Sequence, residues 1–238
     1  MTPPQVVVLD DEDAVAVSVA EALAARLALP GVHHAVLTGG GVGTRVLTEL
    51  LKRSTTIDWD RVHLWWSDER FLPAGDPERN ETGARAALID AIPIPPPNVH
   101  PMPADVGQGA AQAALAYADE LARESHDGFV PDFDVVLLGM GPEGHVASLF
   151  PGMPALHDAG SVAAVEDSPK PPPTRVSLTL AAIRAAGEVW VVAAGAAKAE
   201  AAAAAVAPGT LPDAVPAAGA RGREATVFWL DRTAAAEL

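Results

Sequence analysis

The stretch Asp132–Pro151, DFDVVLLGMGPEGHVASLFP, constrains the chain most. Val135–Leu138 is a short apolar run rich in β-branched residues, with charge before it and glycine after, and it predicts a buried strand of a parallel sheet. Gly139, Gly141 and Gly144 free the backbone for a tight loop, and His145 stands at its end. Open α/β sheets bind ligands just past the carboxyl ends of their strands, so an imidazole there is a catalytic candidate. A structural or solvated histidine is the plain alternative. Gly139-x-Gly141-x-x-Gly144 also matches the dinucleotide fingerprint, with Glu166–Asp167 about 20 residues on. That fingerprint needs a long helix directly after the loop. Pro151, Gly152 and Pro154 stop any helix that begins near His145.

The same alternation runs through the chain. Val6–Leu9 reads as a strand, and Asp10, Asp11 and Asp13 supply cap and dipole charge for a helix over Ala14–Leu29. His33–Leu37 is a second strand, followed by the glycine-rich turn Thr38–Thr44 and a helix over Arg45–Arg53. Strand, glycine loop and helix N-terminus together offer N–H groups to a phosphate. A tight turn without a ligand is the alternative, although four glycines in five positions exceed what a turn requires. Val62–Trp66 is a third strand, and Ser67–Arg70 reads either as part of a site or as a solvated charge run. A helix over Glu81–Ile92, a stiff Pro93–Pro97 linker, a short strand at Val99–Met102 and a helix over Gly107–Arg123 precede the central stretch.

Beyond it, Val162–Val165 reads as a strand and Ser168–Pro173 as a polyproline-like surface loop and a site of mobility. Arg175–Leu180 alternates polar and apolar residues, and a short helix follows near Ala181–Ala186. Then come a strand at Glu188–Ala194, the alanine-rich helix Ala197–Val206, a last strand at Ala225–Leu230 and a short C-terminal helix. Strands alternating with helices over the full length argue an α/β fold with a mainly parallel, Rossmann-like sheet. No internal repeat or composition break divides residues 1–238, so a single domain is expected.

Charge and composition exclude several functions. The net charge is −15 with no basic tract, which argues against nucleic-acid and anionic-membrane partners. Cysteine is absent, which removes disulfides, thiol catalysis and cysteine–metal sites. There is no basic signal-peptide region and no apolar run of membrane-spanning length, so a cytoplasmic protein is expected. HExxH, ligand-spaced histidine pairs, calcium loops and the GxSxG elbow are all missing, so no metal is expected. What remains at the strand ends is one imidazole, several carboxylates, a few cations and a glycine cradle. That inventory suits water attack or proton transfer on a small phosphorylated substrate.

Four blocks carry a resemblance to the 6-phosphogluconolactonase family: Leu37–Arg45, Val62–Pro73 with Asn80, Asp134–Gly152, and Arg175–Thr179 with Gly195–Lys198. The related glucosamine-6-phosphate deaminases share the glycine loop and the Gly-Gly-His pattern. They differ where Arg70 follows Asp68-Glu69 and where Ser148–Pro151 follows His145. The resemblance implies hydrolysis of 6-phospho-D-glucono-1,5-lactone, a sheet with helices on both faces, and no cofactor. A deaminase-like isomerase and a non-catalytic sugar-phosphate sensor are the alternatives. On the lactonase reading His145 is the general base, Glu143 or Asp68 orients it, and Arg70 stabilises the oxyanion. Gly39, Gly40, Gly41, Gly43, Thr44, Asn80, Arg175 and Lys198 hold the substrate and its phosphate. The partner is then a small phosphorylated sugar lactone, bound by a monomer or small homo-oligomer.

Two departures from the family pattern stand out. The usual Ser-Gly-Gly-Ser-Thr-Pro loop is Thr38-Gly39-Gly40-Gly41-Val42-Gly43, which leaves phosphate contacts to backbone N–H groups. Glu143 replaces the usual Asp and is one methylene longer.

Overall fold

The structure, a computed structural model, describes residues 3–238. In chain order the elements are β1 (Gln5–Leu9), α1 (Glu12–Leu27), β2 (His33–Leu37), α2 (Gly40–Leu51), β3 (Val62–Trp66) and β4 (Asp68–Arg70). Next come α3 (Asn80–Ala87), α4 (Ala110–Arg123), β5 (Phe133–Gly139), β6 (Val162–Val165) and β7 (Arg175–Leu178). The chain finishes with α5 (Leu180–Arg184), β8 (Glu188–Ala193), α6 (Ala199–Val206) and β9 (Ala225–Asp231).

Six strands form an all-parallel sheet in the order β1-β9-β8-β5-β2-β3, flanked by helices. The apolar run of β5 explains its central place. Val135, Val136, Leu137 and Leu138 are consecutive and all buried, which requires cover on both faces of the sheet. From β2 the chain steps outward to β3, whereas from β5 it steps the other way to β8 and β9. The crevice between the carboxyl ends of β2 and β5 is therefore the topological switch point, where such sheets bind ligands. Thr38 Oγ1 bridges it by accepting the Gly139 N–H at 3.0 Å.

Several expectations change. Asp11 caps α1 through the Ala14 N–H as expected, at 2.8 Å. The glycine run, however, is not a turn preceding a helix at Arg45–Arg53, because α2 already begins at Gly40. Gly40 has φ +80°, and no Cβ is present to crowd the backbone as it enters the helix. Val99–Met102 is no strand; Val99 makes one parallel bridge to Leu64. The helix over Glu81–Ile92 ends at Ala87 and passes into a 3-10 turn at Ile89–Ala91. The C-terminal residues form turns rather than a helix.

The largest change lies at Asp68–Arg70, which is neither loop nor solvated. It is a strand in a second, antiparallel sheet ordered β4-β7-β6. Because successive strand residues point to opposite faces, Asp68 and Arg70 share one side and Glu69 the other. Glu69 faces α3 and accepts N–H bonds from Asn80 (2.7 Å) and Glu81 (2.9 Å), which caps that helix. It also accepts the Arg70 N–H at 2.8 Å. Burial pushes Glu69 up to about 7, while those amides and Arg79 pull it back.

Near the start of β2 and β3 three imidazoles stack. His34 lies 4.7 Å from His63, and His63 lies 5.2 Å from His100. Trp65 Nε1 donates to His34 Nδ1 at 3.1 Å, and burial with His63 beside it lowers His34 to about 4.

Candidate active site

A cavity of about 580 Å³ opens at the switch point. It draws together His145 from the loop after β5, Asp68 and Arg70 from β4, Arg175 from β7 and Asn80 from α3. Gly39, Gly40, Gly41 and Gly43 of the α2 entry and Lys198 from the turn after β8 complete the predicted set that lines it. Glu143 and Thr44 do not line it. Thr44 turns toward α3, where its hydroxyl is 3.9 Å from the site a Cβ on Gly83 would occupy.

Glycine makes room for the functional side chains. A Cβ on Gly141 would lie 1.9 Å from His145 Nδ1, and a Cβ on Gly39 would lie 1.9 Å from Asn80 Oδ1. Each glycine is thus a seat for a polar side chain packed directly on the backbone. Gly43 serves the fold instead, since a Cβ there would meet the Thr38 carbonyl at 2.6 Å. The first turn of α2 has no side-chain cap, and its leading N–H groups have no intrahelical partner. Those N–H groups are left free to meet an anion, where the loop has no hydroxyls at Gly41 and Val42 to do so.

His145 stacks on Phe150 with ring centroids 4.4 Å apart, which gives the Ser148–Pro151 segment a mechanical purpose. Its Nδ1 is buried, so the ring meets the cavity through Nε2. Glu143 Oε1 is 3.1 Å from Nδ1 but off the ring N–H direction, and Nδ1 has no hydrogen-bond partner. Burial lowers His145 to about 4; Glu143 opposes the fall, while Lys170 and Lys198 add to it. The imidazole is therefore neutral at pH 7.

The expectation that Glu143 orients His145 meets a competitor. Lys170 Nζ takes both Glu143 oxygens, at 2.9 and 3.0 Å. Burial works to raise the Glu143 pKa, yet Lys170 and His145 hold it below the usual range. Asp68 is directed elsewhere. Its carboxylate accepts Ser148 Oγ at 2.6 Å and lies 3.9 Å from Arg175 Nη1. Asn80 Nδ2 donates to the Asp68 carbonyl at 2.8 Å. Burial raises the Asp68 pKa against the pull of Ser148 and Arg175.

Arg175 does not pair with Glu166 or Asp167. Its guanidinium donates to the carbonyls of Pro172 (3.1 Å), Pro171 (3.1 Å) and Lys170 (3.3 Å). The proline-rich stretch is consequently a tethered strap across the cavity rather than a free surface loop. Ser168 closes its base, donating its N–H to the Pro173 carbonyl at 2.9 Å. Arg70 Nε is buried without a partner at the cavity wall. Burial lowers Lys198, with Lys170 adding to the effect. Among the described residues, no group of three or more His, Cys, Asp or Glu side chains is arranged to hold a metal ion.

Sequence reasoning missed Lys170, Ser148 and the rim residue Glu12. A single cation fixed between prolines, Pro169-Lys170-Pro171, was the available signal for Lys170. Stiff flanks aim a side chain that a flexible linker would leave free.

The family described as glucosamine-6-phosphate isomerases/6-phosphogluconolactonase matches residues 10–229. A 6-phosphogluconolactonase of Streptomyces coelicolor is 49% identical over 99% of this chain and 95% of its own. One from Mycobacterium leprae is 52% identical over 85% of this chain and 84% of its own. The crystal structure of 6-phosphogluconolactonase from Thermotoga maritima superposes with a TM-score of 0.84 at 27% identity, covering 96% of this chain and all of that one.

Proposed function

This chain belongs to the glucosamine-6-phosphate isomerase/6-phosphogluconolactonase family, and on that premise we propose that it hydrolyses 6-phospho-D-glucono-1,5-lactone to 6-phospho-D-gluconate in the oxidative pentose phosphate pathway. The observation that carries the reading is the seating of His145, with Nδ1 buried on Gly141 and the other ring nitrogen left to a cavity rich in cations.

His145 Nε2 takes a proton from water as its oxygen adds to C1. The C1 oxygen becomes an alkoxide, stabilised by the charge of the Arg70 guanidinium at the cavity wall. Collapse re-forms the carbonyl and breaks the bond from C1 to the ring oxygen, which receives the proton from His145. Asp68, held by Ser148 and Asn80, keeps Arg70 and Arg175 in place by charge. Lys198 and the free N–H groups of α2 hold the phosphate, fixing the substrate from its non-reacting end. Arg175 supports this arrangement by tethering the strap. The substrate is a small free metabolite in the cytoplasm, and neither nucleic acid nor membrane takes part.

Lactone hydrolysis by wild type and His145→Ala, corrected for the spontaneous rate, tests the proposal. A loss of about 10²-fold or more is expected for removal of a general base. Equal activity in the two proteins overturns it. Ammonia release from glucosamine 6-phosphate would favour the deaminase reading instead.

A further inference from the structure

Glu143 lies between two partners and serves only one. Both of its oxygens bond Lys170, whereas its Oε1 is already 3.1 Å from a buried His145 Nδ1 that has no hydrogen bond. We propose that Lys170 is a positioning residue that passes from Glu143 to the substrate phosphate on binding, so that Glu143 turns onto the His145 Nδ1–H and strengthens the base only when substrate is present. The proposal rests on the lactonase reading above.

Three features make the handover possible. The Lys170 backbone is fixed, its carbonyl accepting from Arg175 Nη2 (3.3 Å) and Ser168 Oγ (3.2 Å), so the ammonium can move without moving the strap. Lys170 lines the cavity and is 40% exposed, within reach of an incoming dianion. Gly141 leaves the space in which Glu143 and the imidazole meet, because a Cβ there would lie 2.6 Å from Glu143 Oε2 as well as against the ring. A phosphate carries more charge than a carboxylate and competes for the ammonium on favourable terms. Once Lys170 has turned away, two influences on His145 change together: a nearby cation is neutralised and a carboxylate becomes available to bond Nδ1–H. A base that is weak in the free protein, and strong in the complex, follows from one side-chain movement.

The pH dependence separates these states, because kcat/KM reports the free enzyme and kcat the complex. In wild type the acid limb of kcat is expected at least one pH unit above that of kcat/KM. In Lys170→Met the free-enzyme limb moves up toward the complex value, because Glu143 is released without substrate, and KM rises. In Glu143→Gln the separation between the limbs narrows to the part that neutralisation of Lys170 and Lys198 by the phosphate supplies. An NMR titration of His145, with and without 6-phosphogluconate, reads the same shift without turnover, and Lys170→Arg restores it if Lys170→Met perturbs folding. Coincident limbs in wild type, an unmoved free-enzyme limb in Lys170→Met, or a full separation retained in Glu143→Gln overturns the handover. An active His145→Ala would instead overturn the base assignment, so the two failures are distinguishable.

Discussion

Replacing Gly141 with alanine tests the seating of the imidazole directly. The added Cβ would lie 1.9 Å from His145 Nδ1 and 2.2 Å from Cε1, whereas ordinary contact begins at 3.4 Å. The ring must therefore retreat by roughly 1.5 Å, and displacement of about 1 Å at a reacting centre costs on the order of 10²-fold. Loss of the whole general-base contribution sets the upper limit at about 10⁴-fold. Gly141 is not among the glycines with positive φ, so alanine is tolerated by the backbone and the cost falls on the side chains. The initial rate of lactone hydrolysis, with the spontaneous rate subtracted, should fall by at least about 10²-fold in kcat, while thermal melting stays close to wild type. Gly43→Ala is the contrasting control. There the obstacle is the Thr38 backbone carbonyl at 2.6 Å, so folding suffers rather than catalysis alone. Activity of Gly141→Ala within threefold of wild type would refute the seating argument.

On the proposed role of Lys198, Lys198→Met removes a charged bond to phosphate worth about 1.5–3 kcal/mol, so KM should rise about 10- to 100-fold with kcat little changed; a fall in kcat alone would contradict a binding role. Glu69→Ala uncaps α3 and leaves buried Arg79, 3.7 Å from Glu69, with less compensation. Urea unfolding should show a loss of about 3 kcal/mol, and an unchanged midpoint would contradict the capping role. His34 stays neutral in the fold down to about pH 4 but protonates near 6.5 when unfolded. Its stabilisation is complete above pH 6.5 and is lost as pH falls toward 4, by on the order of 3 kcal/mol. His34→Gln should flatten that part of the pH–stability curve, and an identical slope in both proteins would refute the assignment.

The parallel sheet was legible because its strands are long apolar runs whose burial on both faces leaves a continuous signature. Val135–Leu138 and Glu188–Ala193 illustrate this, and the loops after such strands carry the site by topology alone. The second sheet was not legible. Asp68-Glu69-Arg70 has no apolar residue to signal a strand, and its partner β7 lies about a hundred positions further along the chain. Only the pairing with Arg175–Ser177 makes it extended, so tertiary context overrides a composition that reads as loop. The α2 boundary failed for a related reason. Glycine is a poor helix former, yet Gly39 and Gly43 are required by Asn80 and by the Thr38 carbonyl, and packing outweighs propensity there. Lys170 was legible only as a cation between stiff prolines; where it points depends on carbonyls bonded by Arg175, a contact no local pattern reports.

The alternation within β4 sets what kind of change in length this family member tolerates. Asp68 and Arg70 reach the cavity only because an odd residue separates them and turns the other way to cap α3. Deleting or inserting one residue between Trp66 and Arg70 would exchange those assignments, presenting Glu69 to the substrate and two mismatched side chains to the helix end. No single compensating substitution repairs such a swap, because three positions change sides at once. Lengthening is free to occur after Leu72, where Pro73–Asp76 forms an exposed turn. Natural length variation among related chains should accordingly gather in that turn and leave the four residues from Ser67 to Arg70 intact.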